Sequence, residues 1–153
     1  MSLDTTTRML APFLDGFGPE ELDRIPFGII RLDADGVVQA CNRAEVLNAN
    51  YPQPVVGRRF FTDVAPSART PEFHGRFLQA FAQERFDETF AFTFACGAMP
   101  RRVLVRMYFA GRTDSLWVFT ARPDGSALGL RPFDDYPPRN LDAQPDAEAG
   151  QAA

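Results

Sequence analysis

The sequence predicts an α+β domain: a five-stranded antiparallel sheet with helices on one face and a helical cap at the N-terminus. Three observations carry that expectation. The apolar pattern runs strand, strand, short helices, one longer helix, then three strands. The material for a core is plentiful, since 45% of the residues are hydrophobic and 15 of them are Phe. The pattern then stops near Pro123, where Pro, Asp, Ala and Gly take over. At 153 residues the chain is one domain by length and long enough to bury a core.

Residues 1–24 read as the cap. Met9, Leu10, Phe13, Leu14 and Phe17 recur at helical spacing until Gly16 and Gly18-Pro19 break the run. Pro19-Glu20-Glu21-Leu22-Asp23 follows as a single turn with its acids at the positive end. Phe27-Gly28-Ile29-Ile30-Arg31-Leu32 is a β-branched strand, and Asp33-Ala34-Asp35-Gly36 is the turn after it. Val37-Val38-Gln39-Ala40-Cys41-Asn42 returns as a second strand, with Asn42 placed to cap a short helix over residues 43–48. Pro52 and Pro54 hold the next stretch in a loop. The longer helix starts at Pro71, capped by Thr70, and carries Phe73, Phe77, Ala80 and Phe81 as one stripe to about residue 84. Strands follow over residues 89–95, 103–109 and 115–120, the first with Phe90, Phe92 and Phe94 on one face. Residues 123–153 form an acidic Pro/Ala-rich tail: Leu128-Gly129-Leu130 and Pro132-Phe133 can pack on the domain, and disorder is expected beyond Tyr136-Pro137-Pro138.

The charge distribution narrows the functional classes. Residues 1–122 hold 14 acids and 14 Arg, whereas residues 123–153 hold six acids and two Arg, so the net charge of −4 lies in the tail. Arg58-Arg59 and Arg101-Arg102 are isolated pairs and read as solvated surface. This is not a nucleic-acid binder's pattern. No apolar run approaches a membrane span and no secretory signal is visible, so the cytoplasm is the expected location. All 16 basic residues are Arg; without lysine no Schiff base to retinal or pyridoxal phosphate can form. Two cysteines, Cys41 and Cys96, and one histidine, His74, form no disulfide scaffold and fit no zinc spacing. Residues 123–153 are too short and too rich in Pro, Asp and Ala to encode a kinase, a cyclase or a helix-turn-helix, so no output domain is expected from them.

Several segments together are more specific than the pattern of elements. They are Ile25-Pro26-Phe27-Gly28-Ile29-Ile30-Arg31-Leu32-Asp33-Ala34-Asp35-Gly36, Asn42-Arg43-Ala44-Glu45, Val55-Val56-Gly57-Arg58-Arg59-Phe60-Phe61, Asp63-Val64-Ala65-Pro66, Thr70-Pro71-Glu72-Phe73-His74-Gly75-Arg76-Phe77 and Leu116-Trp117-Val118-Phe119. With them, residues 22–122 resemble the photoactive yellow protein family, a branch of the PAS fold. The resemblance implies a site. Glu45 falls where the family has the buried acid that hydrogen-bonds its chromophore, Cys41 where it has a tyrosine sharing that bond, and Tyr51 where it has a covering arginine. Phe92 and Cys96 fall at pocket-side aromatic positions. Ser67 stands where the family has the cysteine that carries a p-coumaroyl thioester. A hydroxyl without a base is a poor nucleophile, so that cofactor is not expected and Ser67 is grouped with the ligand-binding residues.

The expected function is therefore a stand-alone PAS-type regulatory module that binds a small hydrophobic or aromatic ligand, or a protein partner or second copy through the N-terminal cap. The expected ligand-binding residues are Cys41, Glu45, Tyr51, Ser67, Phe92 and Cys96. Glu45 is either a surface carboxylate or a buried acid that donates to a ligand. One alternative is a small enzyme on a hydrophobic substrate, with Glu45 as acid/base helped by Cys41, Ser67 or His74. The other is a photoreceptor whose chromophore is held differently, at Cys41 for instance. The aromatic group of Phe60, Phe61, Phe73, Phe77, Phe90, Phe92 and Phe94 reads as core.

Overall fold

A computed structural model of the chain describes residues 2–96 and 99–129, with Cys96 and Met99 described in their backbone alone. Strands β1 (Gly28–Leu32), β2 (Val38–Cys41), β3 (Asp87–Cys96), β4 (Met99–Ala110) and β5 (Ser115–Ala121) form one sheet in the order β2-β1-β5-β4-β3. Every neighbouring pair is antiparallel. Period-2 alternation sends Ile30, Leu32, Val105, Met107, Leu116 and Val118 into one core, and Ile29, Trp117 and Phe119 into another. Each face of the sheet therefore has its own cover.

The first face is covered by the segment between β2 and β3. Helix α3 (Arg43–Ala49) starts where Asn42 Oδ1 accepts the Glu45 N–H at 3.2 Å, and it ends at Asn50 in the left-handed region, φ 55°. The longer helix differs from its expected form at the start. Thr70 Oγ1 does cap it, accepting the Phe73 N–H at 3.3 Å, but Pro71–Gly75 is a wide π-type turn and only Arg76–Gln83 is regular α-helix, α4. The stripe survives that change: Phe73, Phe77 and Ala80 are buried. Phe73 sits at the centre of the aromatic core, with ring centroids 5.8 Å from Phe60, 6.0 Å from Phe61 and Phe90, 5.0 Å from Phe92 and 5.6 Å from Phe94. Fully burying one such ring is worth roughly 1.5–3 kcal/mol, which makes this cluster a main anchor of the segment on the sheet.

The second face is covered by the cap: α1 (Leu3–Leu10), a 3₁₀ stretch (Ala11–Gly16) and α2 (Pro19–Asp23). The expected stripe is correct only in part. Leu14 is buried and Leu10 and Phe17 are half-buried, while Met9 and Phe13 are 60% and 62% exposed. The tighter 3₁₀ winding from Ala11 rotates the stripe away from α-helical register, and Leu3, Thr6 and Thr7 supply the buried side of α1 instead. The first helix of the cap is tied down at two places. Leu3 N donates to Gly125 O at 2.8 Å. From β4, the buried Arg106 donates through Nη1 to Thr7 Oγ1 at 2.8 Å and to Asp4 O at 3.1 Å, while its Nε and Nη2 grip Asp87 at 2.8 and 2.7 Å.

Residues 123–129 are part of this domain. Leu128 is buried, and the Leu128 and Gly129 N–H groups donate to Pro26 O at 2.8 and 3.0 Å. The expectations for Leu130, Pro132, Phe133 and the tail beyond lie outside the described residues.

Candidate functional site

Glu45 is the centre of the site. It lies on the first turn of α3 and is fully buried, which rejects the surface alternative. Both of its oxygens are engaged by the protein. Oε1 accepts from Thr120 Oγ1 at 2.6 Å. Oε2 accepts from the Tyr51 hydroxyl at 2.7 Å and from Arg101 Nη2 at 3.0 Å. The sequence reading supplied no cation for a buried Glu45; Arg101 is that cation, with its side chain 15% exposed and its guanidinium 4.9 Å from the Phe94 ring centre. Glu45 is thus an acceptor held by three protein donors.

Backbone geometry makes room for this arrangement. A Cβ on Gly28 would collide with Thr120 Oγ1 and Glu45 Oε1, so only glycine lets β1 pass this close to the carboxylate. Asn42 fixes α3 against the rest of the fold. Its Oδ1 also accepts the Ile29 N–H at 2.9 Å, and its Nδ2 donates to the carbonyls of Leu22, Ile25 and Phe27 at 2.9, 3.3 and 2.9 Å.

The expected site residues come together unevenly. Tyr51 and Glu45 touch, as given above. Burial and the Glu45 charge push the Tyr51 phenol well above its ordinary range. Cys41 is half-buried beside the first core, and burial, then Glu45 and Asp23, push its thiol up, so it is protonated at neutral pH and a weak nucleophile. Ser67 lies in a 3₁₀ turn (Pro66–Ala68), and its Oγ accepts the Ala95 N–H at 3.1 Å, tying that loop to β3. Phe92 is half-buried and packs 5.0 Å from Phe73 and 4.9 Å from Phe94. The side chain of Cys96 lies outside the described residues. His74 packs at a tilt against Phe61 at 4.4 Å and stacks on Phe77 at 5.8 Å; among the described residues no hydrogen bond joins it to Ser67, or either one to Glu45.

Three members of the site were missed from the sequence: Gly28, Arg101 and Thr120. Arg101 was grouped with Arg102 as solvated surface, which is right for Arg102 alone. A signal was available. Arg101 shares a strand face with Val103, Val105, Met107 and Phe109, all buried, so period-2 alternation points it toward the core.

Comparison with known proteins supports the fold. Residues 22–110 match the PAS fold. Photoactive yellow protein of Rhodothalassium salexigens is 39% identical over 106 residues, covering 69% of this chain and 85% of that protein. The chain belongs to the photoactive yellow protein family. The homologue from Halochromatium salexigens is 36% identical over 110 residues, covering 71% of this chain and 88% of that protein. Among solved structures, the photoactive yellow protein domain of the sensor histidine kinase Ppr from Rhodospirillum centenum superposes with a TM-score of 0.67 at 39% identity, over 72% of this chain and 98% of that domain. The PAS match stops before β5, yet Thr120 on β5 holds Glu45 Oε1, so the site extends beyond the matched segment. No helix among the described residues is long and apolar enough to cross a membrane. Nor do the described residues contain a group of three or more His, Cys, Asp and Glu placed to hold a metal ion.

Proposed function

We propose that this chain is a regulatory sensor module that senses by reversible occupancy of its PAS core by a small apolar or aromatic ligand, without a thioester-bound pigment. The observation that carries this is Ser67. A hydroxyl stands where the family resemblance puts the attachment sulfur, and it is bonded to the Ala95 N–H rather than to a base. Cys41, the other nucleophile considered, is held as a thiol by its surroundings. The ligand's surroundings would be Ser67, Phe92 and Phe94 on one side and Tyr51 with Arg101 on the other. The Tyr51 hydroxyl already occupies Glu45 Oε2, so a phenolic or carboxylic ligand that reaches this oxygen competes with it.

Asn42 links occupancy to output. It caps the helix that carries Glu45 and holds the Leu22 carbonyl in the cap and the Ile25 and Phe27 carbonyls just after it, so a shift of α3 is felt at Leu22 and Ile25. A ligand acts by favouring one cap arrangement over another, and the cap is the surface offered to a protein partner or a second copy. The acid–base enzyme reading gains no support from Glu45, whose oxygens are both committed to protein donors.

The test is incubation of the full chain with activated p-coumarate, read by intact mass and visible absorbance, beside native mass spectrometry of protein taken from its source. The expected result is an unmodified, colourless polypeptide that retains or takes up a dissociable small molecule. A p-coumaroyl adduct on Ser67, Cys41 or Cys96 would overturn the proposal.

A further inference from the structure

Lined by none of the residues that hold Glu45, a groove of about 340 Å³ opens between the β1–β2 turn and the start of α4. Its apolar surface is built from Phe61 and Phe77, with centroids 4.9 Å apart, and from Leu78, which is 54% exposed. The His74 ring lies against both phenyl groups, 4.4 Å from Phe61 at a tilt of 57° and nearly parallel to Phe77, at 14°. Arg59 and Arg69 complete the lining, both exposed. Among the described residues neither guanidinium makes an ion pair or a hydrogen bond. One carboxylate, Asp35, also lines the groove. Asp63 is already engaged with the Arg59 N–H at 3.4 Å and the Thr62 hydroxyl at 3.3 Å. The groove therefore joins two uncompensated planar cations to an aromatic floor and an exposed leucine, within the volume range of small-molecule sites.

We propose that this groove binds a small amphipathic carboxylate, with the carboxylate on Arg59 and Arg69 and the hydrocarbon or aryl part on Phe61, Phe77 and Leu78. Guanidinium groups suit the planar anion, and the apolar floor selects against bare inorganic anions. The site uses none of the residues around Glu45, so it stands or falls independently of the function proposed above.

The test uses the ¹⁵N-labelled full chain titrated with sodium octanoate and, in parallel, with uncharged 1-octanol. Saturating amide shifts are expected at Gly36, Thr62, His74 and Leu78. Octanol is expected to bind at least tenfold more weakly, and so is octanoate to an Arg59→Gln/Arg69→Gln double variant. Both arginines are exposed, so the variant should keep a dispersed native spectrum; if it does not fold, the single variants are read instead, each expected to bind about threefold more weakly. Shifts that map elsewhere or do not saturate would overturn the proposal. So would equal affinity for octanol, or undiminished octanoate affinity in the folded variants.

Discussion

Asn42 Oδ1 accepts the Glu45 N–H at 3.2 Å, so the residue that starts α3 and the carboxylate at the centre of the site are locked in a single helical turn. The Asn42 amide at the same time holds the Leu22, Ile25 and Phe27 carbonyls. Replacing Asn42 by Ala takes a donor from all three carbonyls and the acceptor from the Ile29 N–H, while Leu22 O keeps the Ile25 N–H at 3.2 Å. Buried groups left unsatisfied cost about 1–3 kcal/mol each, and a lost N-cap about 1 kcal/mol. The N42A variant is expected to lose at least about 2 kcal/mol in urea unfolding, with faster amide exchange concentrated at residues 22–25 and 43–46. Unchanged exchange at residues 22–25 would mean that Asn42 does not couple the cap to α3.

Gly28 gives a sharper test of the site's geometry. Any Cβ there strikes Glu45 Oε1 and Thr120 Oγ1. Gly28→Ala is expected to cost about 1–3 kcal/mol, the usual range for overpacking a core, and to break the Thr120–Glu45 hydrogen bond. The shift of the Glu45 carboxylate infrared band, assigned through Glu45→Gln, reads the bond directly. A variant as stable as the parent, with an unshifted band, would show that β1 can yield at no cost.

Alkaline pH should weaken the protein. Cys41 and Tyr51 both hold their protons more tightly folded than unfolded, first because they are buried and then because Glu45 is near. Their contribution is whole below the unfolded values, about 8.5 for a thiol and 10 for a phenol, and drains away as the pH climbs past those values toward the folded ones. Each group steepens the decline by up to about 1.4 kcal/mol per pH unit. Melting temperature measured from pH 7 to 11 is expected to be level at first and to fall above about pH 8.5–9. Cys41→Ala should flatten the first part of that fall. An identical slope in the variant would show that the Cys41 proton is held no more tightly in the folded chain.

Arg106 tests the cap. It reaches Thr7 and the Asp4 carbonyl on α1 while paired to Asp87 on β3. Arg106→Gln keeps a polar group but loses the paired grip on Asp87 and the reach to α1. Amides of residues 3–10 are expected to exchange at least tenfold faster, with the sheet protected as before. If exchange instead rises uniformly over the whole chain, the cap is not a separable unit.

Local chemistry made much of this fold legible. Asn42 and Thr70 announced their helices because capping residues act within three positions, and β3 announced itself by alternating Phe90, Phe92 and Phe94 with smaller or polar residues. The cap stripe was read too simply, since periodicity assumes one winding and Pro12 lies within a 3₁₀ stretch. The site was half legible. Glu45 and Tyr51 are six residues apart and connected by one turn and a loop, within reach of motif reasoning. Arg101 and Thr120 arrive from 56 and 75 residues away through sheet register, which a linear pattern does not encode. Arg106 was hidden for a related reason: it lies on the cap-facing side of β4, and its value depends on a helix 99 residues earlier in the chain.

The shared role of Asn42 limits how this scaffold can be rebuilt. A foreign cap spliced on at residue 24 would still have to present a carbonyl at the position of Leu22 to a side chain rooted in α3. Chimaeras that exchange residues 1–24 alone keep that attachment only where the new backbone brings a carbonyl to the Asn42 amide, whereas exchanging residues 1–45 as one block keeps donor, acceptor and acid in the same piece.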